Sequence, residues 1–120
     1  MSGTSQPQAP RRGDIYWVDF NPARGSEQAG HRPAVVISLD SYNQRMRTVL
    51  IAAITTTVRE GSRVQLTLEA GDPLPRRSSI LGFQVMTIDQ SRLQKHAGRL
   101  RPEQLEDLNG VLALCFGLKT

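Results

Sequence analysis

Several residue types are scarce in this chain, and each scarcity removes a class of function. One cysteine, Cys115, occurs in 120 residues. No intrachain disulfide can form, and a single sulfur cannot make a Cys-based zinc site. Cys115 falls among Leu112, Leu114 and Phe116, so it reads as a small core residue rather than a reactive thiol. His31 and His96 are the only histidines. A two-histidine nuclease needs both at one phosphate, and each by itself reads as a solvated side chain. No apolar run approaches the roughly 20 residues of a membrane helix. Residues 1–10 carry neither the charged nor the apolar region of a secretory signal. The expectation is a cytoplasmic protein with no membrane association. There is no Gly-rich phosphate loop, no dinucleotide fingerprint and no His-Glu zinc helix. Asp14, Asp19 and Asp89 are the acids placed to hold Mg²⁺, but their spacing fits no metal pattern. They read as solvated carboxylates, and no metal and no cofactor are expected.

Lysine is also nearly absent: of fifteen basic residues, only Lys95 and Lys119 are not arginine. Net charge is +4 and the pI about 10.0. Such a balance suggests a polyanionic partner. Arginine offers a planar fork of donors that grips phosphate in a bidentate way. A coding bias toward arginine explains the composition equally well, so composition alone decides nothing. The length fits one domain. Residues 1–11, mainly Ser, Thr, Gln, Pro and Gly, read as a mobile tail, which leaves 12–120 as the domain.

Five strands and a C-terminal helix are expected. Residues 14–20 (DIYWVDF) are β-branched and aromatic, with Tyr16, Val18 and Phe20 on one face and Ile15 and Trp17 on the other. A long Gly- and Pro-containing loop covers 21–32. A short apolar strand follows over 33–39, opened by Pro33. Residues 41–47 form a polar break with a helical turn capped by Ser41. The nearly all-apolar run 48–55 reads as a central strand. Residues 63–69 alternate, with Val64, Leu66 and Leu68 facing inward. The last strand covers 79–89, with Gly82 as a bulge or bend. Residues 90–101 show no clear pattern. Pro102 then opens a helix carrying Leu105, Leu108, Leu112 and Cys115 at helical spacing, with Gly117 as its stop. Sequential short strands of this kind suggest a small barrel or half-barrel.

The most informative stretch is Gly25-Ser26-Glu27-Gln28-Ala29-Gly30-His31-Arg32-Pro33. Two glycines bracket polar residues and let the backbone approach a ligand closely. Arg32, anchored by the strand after it, points a guanidinium at that ligand. On residue types alone, an ordinary polar hairpin loop with a surface arginine explains the stretch as well. The longer run GDIYWVDFNPARGSEQAGHRPAVVIS resembles the N-terminal signature of the MazF/PemK toxin family, whose hallmark is a GSEQxGxRP loop. IAAITTT at 51–57, SSILGFQVMTIDQSRL at 78–93 and the helix from Pro102 resemble later segments of the same family. The resemblance covers about residues 11–118.

It implies a mainly β fold with α: a small SH3-like barrel of the MazF/PemK/CcdB type with a C-terminal helix, usually as a homodimer. It implies a toxin that cleaves single-stranded RNA at short sequences without metal. A cognate MazE-like antitoxin would neutralise it by laying an acidic C-terminal segment across the RNA groove. Arg32 and Thr55 match the catalytic residues of the family. Ser26, Glu27, Gln28, His31, Thr56 and Gln84 match substrate-binding positions. The late strand departs from the family, with Phe83 and Met86 where an acid and a base are usual. Phe83 reads as a core residue, with stacking on an unpaired base as the alternative. Glu27 and His31 both remain candidates for the proton acceptor. Arg24, Arg59, Arg63, Arg76 and Arg77 are expected near the groove. Three other functions stay open: a CcdB-like gyrase inhibitor, a non-catalytic RNA-binding barrel, and a toxin whose groove serves only its antitoxin.

Overall fold

The computed structural model describes residues 8–20 and 31–119. In chain order it contains β1 (Asp14–Asp19), β2 (His31–Val36), a short helix α1 (Asp40–Arg45), β3 (Thr48–Thr55), β4 (Gln65–Leu68), β5 (Ser78–Asp89), a 3₁₀ turn (Gln90–Arg92), β6 (Leu93–Arg99) and α2 (Pro102–Phe116). The strands form one six-stranded sheet in the order β4-β5-β3-β2-β1-β6, and every neighbouring pair is antiparallel. The expected mainly β architecture with a C-terminal helix is present. As a barrel it is open, because β4 and β6 are the two sheet edges. The loop after β4 is tied to the start of α2: Asp72 is held by the Arg101 guanidinium at 2.9 Å, and its carbonyl accepts from Gln104 Nε2 at 3.0 Å.

Alternation along the strands divides the buried residues between two faces. Ile15, Val35, Ala52, Ile54, Leu68 and Ile80 pack with Leu108 and Leu112 of α2. Val18, Ala34, Val36, Val49 and Ile51 form a second cluster, with Tyr16, Phe20, Ile88 and Leu93 against it. Both faces of β2 and β3 are therefore buried, which explains why these strands read as continuous apolar runs. The expected faces of β1 are observed, except that Trp17 is 38% exposed.

Four sequence readings need correction. β6 was not foreseen: its residues LQKHAGR include no β-branched side chain, and as an edge strand it needs little apolar content. β2 starts at His31 rather than Pro33, because pairing with β1 begins at His31↔Asp19. Pro33 is tolerated there because the ladder to β3 starts only at Ala34. Ser41 does not cap α1; Leu39 holds the N-cap position without a side-chain bond. Phe83 is not a core residue, being 65% exposed. It lies in the stretch of β5 where pairing jumps from Ala52↔Val85 to Ile54↔Ile80. That irregularity is the bend expected at Gly82. α2 closes as expected at Gly117, which is left-handed at φ 70°. None of the helices among the described residues is long and apolar enough to cross a membrane.

Candidate active site

A cleft of about 340 Å³ opens at the end of the sheet where β1, β2, β3 and β5 meet, lined by Trp17, Arg32, Pro33, Thr55, Thr56 and Ser78. Sheet order explains the convergence. β2 and β3 are neighbours, and the register Ala34↔Ala53 and Val35↔Ala52, continued two residues, sets Arg32 across from Thr55. Arg32 pairs on its other side with Val18 of β1, and Thr55 with Ser79 of β5. Both side chains are thus carried by strand backbone rather than by a loose loop. That precision suits a site that must hold fixed geometry.

Each group has a defined chemical capacity. Arg32 is exposed, and its guanidinium is a permanent cation with several N–H donors. Thr55 Oγ1 accepts a hydrogen bond from the Thr57 backbone N–H at 3.1 Å. With a lone pair thus occupied, its own O–H is left to donate into the cleft. Thr56, also exposed, adds a second hydroxyl. Trp17 offers a partly exposed aromatic ring beside these donors. Ser78 is almost fully buried and donates to the Arg76 carbonyl at 2.9 Å. It shapes the wall without presenting a free proton. Together the lining presents one cation, two hydroxyls and one aromatic ring, a set suited to a phosphodiester and an unpaired base.

Arg32, Thr55 and Thr56 come together in this cleft. His31 is exposed at the start of β2, one residue from Arg32 and paired with Asp19, but it is not among the lining residues. Gln84 is exposed in the irregular part of β5, also away from the lining. Ser26, Glu27, Gln28 and Arg24 lie outside the described residues. Arg59, Arg63 and Arg76 are exposed. Arg77 is held by Glu60 at 2.7 Å and Glu69 at 3.0 Å, so its charge is compensated locally. Sequence reasoning missed Trp17 and Ser78. An aromatic on a strand leading into the glycine-bracketed loop was the available signal for Trp17.

Two further expectations change. Asp14 is not a solvated acid: it is buried and accepts from the Arg11 N–H at 2.9 Å, His96 at 3.2 Å and Arg99 at 2.9 Å. Burial pushes its carboxyl up, but these donors outweigh that effect and hold it below the usual aspartate value. His96 accordingly has a partner and is not merely solvated. Cys115 is half-buried, packed against Gly82 and the Val64 carbonyl just before β4, and burial raises its thiol. It remains a packing residue.

Comparison with known proteins agrees with this architecture. The chain is similar to the Endoribonuclease MazF of Staphylococcus saprophyticus, with 35% identity over 112 residues, covering 92% of this chain and 93% of that protein. It superposes on an endoribonuclease from a mycobacterial species with a TM-score of 0.79 at 23% identity, covering 93% of this chain and 95% of that one, a likeness of fold. It also superposes on a chain of a MazE–MazF crystal structure from Deinococcus radiodurans, with a TM-score of 0.78 at 26% identity over 92% of this chain and 98% of that one. The sequence profile that matches residues 11–116 is that of the PemK-like, MazF-like toxins of type II toxin–antitoxin systems, and to that family this chain belongs.

Proposed function

We propose that this protein is an endoribonuclease toxin that cuts single-stranded RNA at specific short sequences by 2′-OH transesterification, without metal, in the cytoplasm. A cognate MazE-like antitoxin neutralises it, and it works as a homodimer whose catalytic domain spans 12–120. The observation that carries this reading is the meeting of the Arg32 guanidinium and the Thr55 hydroxyl in one cleft. A gyrase-inhibiting or purely RNA-binding barrel has no need of that pair.

In the reaction, the substrate's 2′-oxygen attacks the adjacent phosphorus. A 2′-O–P bond forms and the P–O5′ bond breaks. The products are a 2′,3′-cyclic phosphate and a 5′-hydroxyl. Negative charge grows on the non-bridging oxygens at the transition state, and fixed donors aimed there are usually the largest catalytic contribution. Arg32 supplies two parallel N–H donors. Thr55 supplies the O–H left over after its bond from Thr57. Trp17 stacks on the base next to the scissile bond. Guanidinium groups hold their protons tightly, so the 2′-OH proton goes to another group, either His31 or Glu27, and the departing 5′-oxygen takes up a proton in exchange to leave as the hydroxyl. Ser26, Gln28, Thr56 and Gln84 contact the flanking nucleotides.

The test is incubation of the purified protein with a long defined RNA in EDTA, followed by mapping of fragment ends. Fragments ending in cyclic phosphate at a recurrent short sequence are expected. Intact RNA together with inhibited gyrase would assign the protein to the CcdB-like alternative. Arg32→Ala should lower kcat by roughly 10²–10³-fold with an unchanged melting curve, since the side chain is exposed. A folded Arg32→Ala protein with wild-type kcat would remove Arg32 from the chemistry.

A further inference from the structure

A second pocket, of about 410 Å³, opens where the start of β1 meets the end of β6, and Arg11, Asp14, Tyr16, His96 and Arg99 line it. Its wall is assembled by a break in strand register. β1 pairs with β6 as Ile15↔Gly98 and then Tyr16↔His96, so β6 carries one extra residue at Ala97. In a regular strand, His96 and Arg99 would point to opposite faces. The bulge turns both to one side, where both reach Asp14 Oδ1. Gly98 sits at φ 156°, and a Cβ there would press on Pro73 at 3.0 Å, so the glycine makes this arrangement possible.

A strap tying an edge strand to its neighbour would need only Asp14 and its donors. The pocket holds more than that. Two arginines, Arg11 and Arg99, line it against one carboxylate, and both carboxylate oxygens are already occupied within the wall. Arg11 gives its backbone N–H to Asp14, which leaves its guanidinium outside that bond. The His96 side chain is 49% exposed. Its ring and that of Tyr16 meet nearly at right angles, with centroids 5.1 Å apart and planes at 88°, which restrains the imidazole while about half of the side chain stays open to a ligand. An acidic peptide would need only the cations. Cations beside an open aromatic face match an unpaired nucleotide, phosphate on one and base on the other.

We propose that this pocket is a second nucleotide subsite: it holds one unpaired nucleotide of an RNA strand, with the phosphate on Arg11 and Arg99 and the base on the His96 ring. The RNA identity of the strand rests on the endoribonuclease reading.

The test measures binding of a 2′-O-methyl RNA, which cannot undergo 2′-OH attack, across a range of salt concentrations. Arg11→Ala and His96→Gln both keep a hydrogen bond to Asp14 available. Each lost phosphate contact on single-stranded RNA should lower the slope of log K against log salt by about 0.7. Arg11→Ala should show that decrease. His96→Gln should weaken binding with the slope preserved. Arg45→Ala, which removes a charge on α1, should leave both unchanged. In an NMR titration, adenosine monophosphate should shift the His96 ring signals. Ring shifts with unaltered RNA binding in both variants would assign the pocket to free nucleotides and overturn the RNA contact. Absence of both effects would overturn the site altogether. Cleavage in EDTA is read separately, so its failure falls on the endoribonuclease reading and not on this pocket.

Discussion

Thr55 contributes one hydroxyl, and its neighbours decide what that hydroxyl does. The bond from the Thr57 N–H orients Oγ1 as an acceptor there, so its proton is available for a phosphate oxygen. Thr55→Val keeps the shape and removes the donor. A fall in kcat of roughly 10²–10³-fold is expected, with the melting temperature near that of the wild type; single-turnover kinetics and thermal unfolding check this together. Asp14 acts on stability instead. Its carboxyl is held below the usual aspartate value despite burial, because Arg11, His96 and Arg99 all donate to it. A depressed folded-state pKa stabilises the protein above the unfolded value of about 3.9. That contribution is lost as pH falls from there through the folded value. Asp14→Asn should therefore be less stable than wild type at pH 7, by about 1–3 kcal/mol, and the difference should shrink toward pH 2. Urea unfolding at several pH values reads this directly; a difference independent of pH would contradict it. These roles were unevenly legible. Arg32 and Thr55 carried a recognisable family pattern, whereas Asp14 and His96 are far apart in the chain, and only the pairing of β1 with β6 makes them partners.

At the scale of elements, α2 and β5 are joined through a position with no side chain. A Cβ on Gly82 would stand 2.7 Å from Cys115 Sγ, 2.7 Å from Val111 Cγ1 and 2.9 Å from the Val64 carbonyl oxygen. The side chains can turn away, but the backbone oxygen cannot. Gly82→Ala should cost about 1–3 kcal/mol, and adding Val111→Ala should restore only part of it; equilibrium unfolding of both proteins checks the order. The Gly82 bend was readable because an isolated glycine interrupts an otherwise good strand. β6 was not, because strand propensity reflects packing on a half-buried surface, and an edge strand rich in Gln, Lys, His and Arg displays little of it. α1 illustrates the same limit. Its N-terminus is set by the chain leaving β2 and by buried Asn43, which bonds Ser38 and the Pro10 carbonyl, rather than by a local cap.

Across the whole molecule, sheet order and charge together determine function. The order β5-β3-β2-β1 gathers the ends of four strands around the cleft. A net charge of +4 gives the surface an overall attraction for a polyanion. RNA binding should accordingly weaken steeply with salt, by about 0.7 in log–log slope for each phosphate contacted on a single strand. Filter binding from 50 to 300 mM salt measures this, and a flat profile would exclude phosphate contacts as the source of affinity. Perfect duplex RNA should be cut poorly, since an A-form helix hides base edges in a groove that side chains cannot enter.

The amino-acid order by itself determined the strands with strong apolar content, the C-terminal helix with its proline start and glycine stop, and the family to which the loop and its following strand belong. These are local signals: periodicity, caps and a contiguous motif each lie within a few residues of one another. Tertiary structure alone decided that Trp17 faces solvent at the cleft while Ile15 and Val18 of the same strand are buried, that Phe83 lies outside the core, and that Asp14, His96 and Arg99 share one pocket. The reason is physical. Burial and partnership are properties of what packs across a strand, and in an antiparallel sheet those neighbours are set by register between segments distant in the chain.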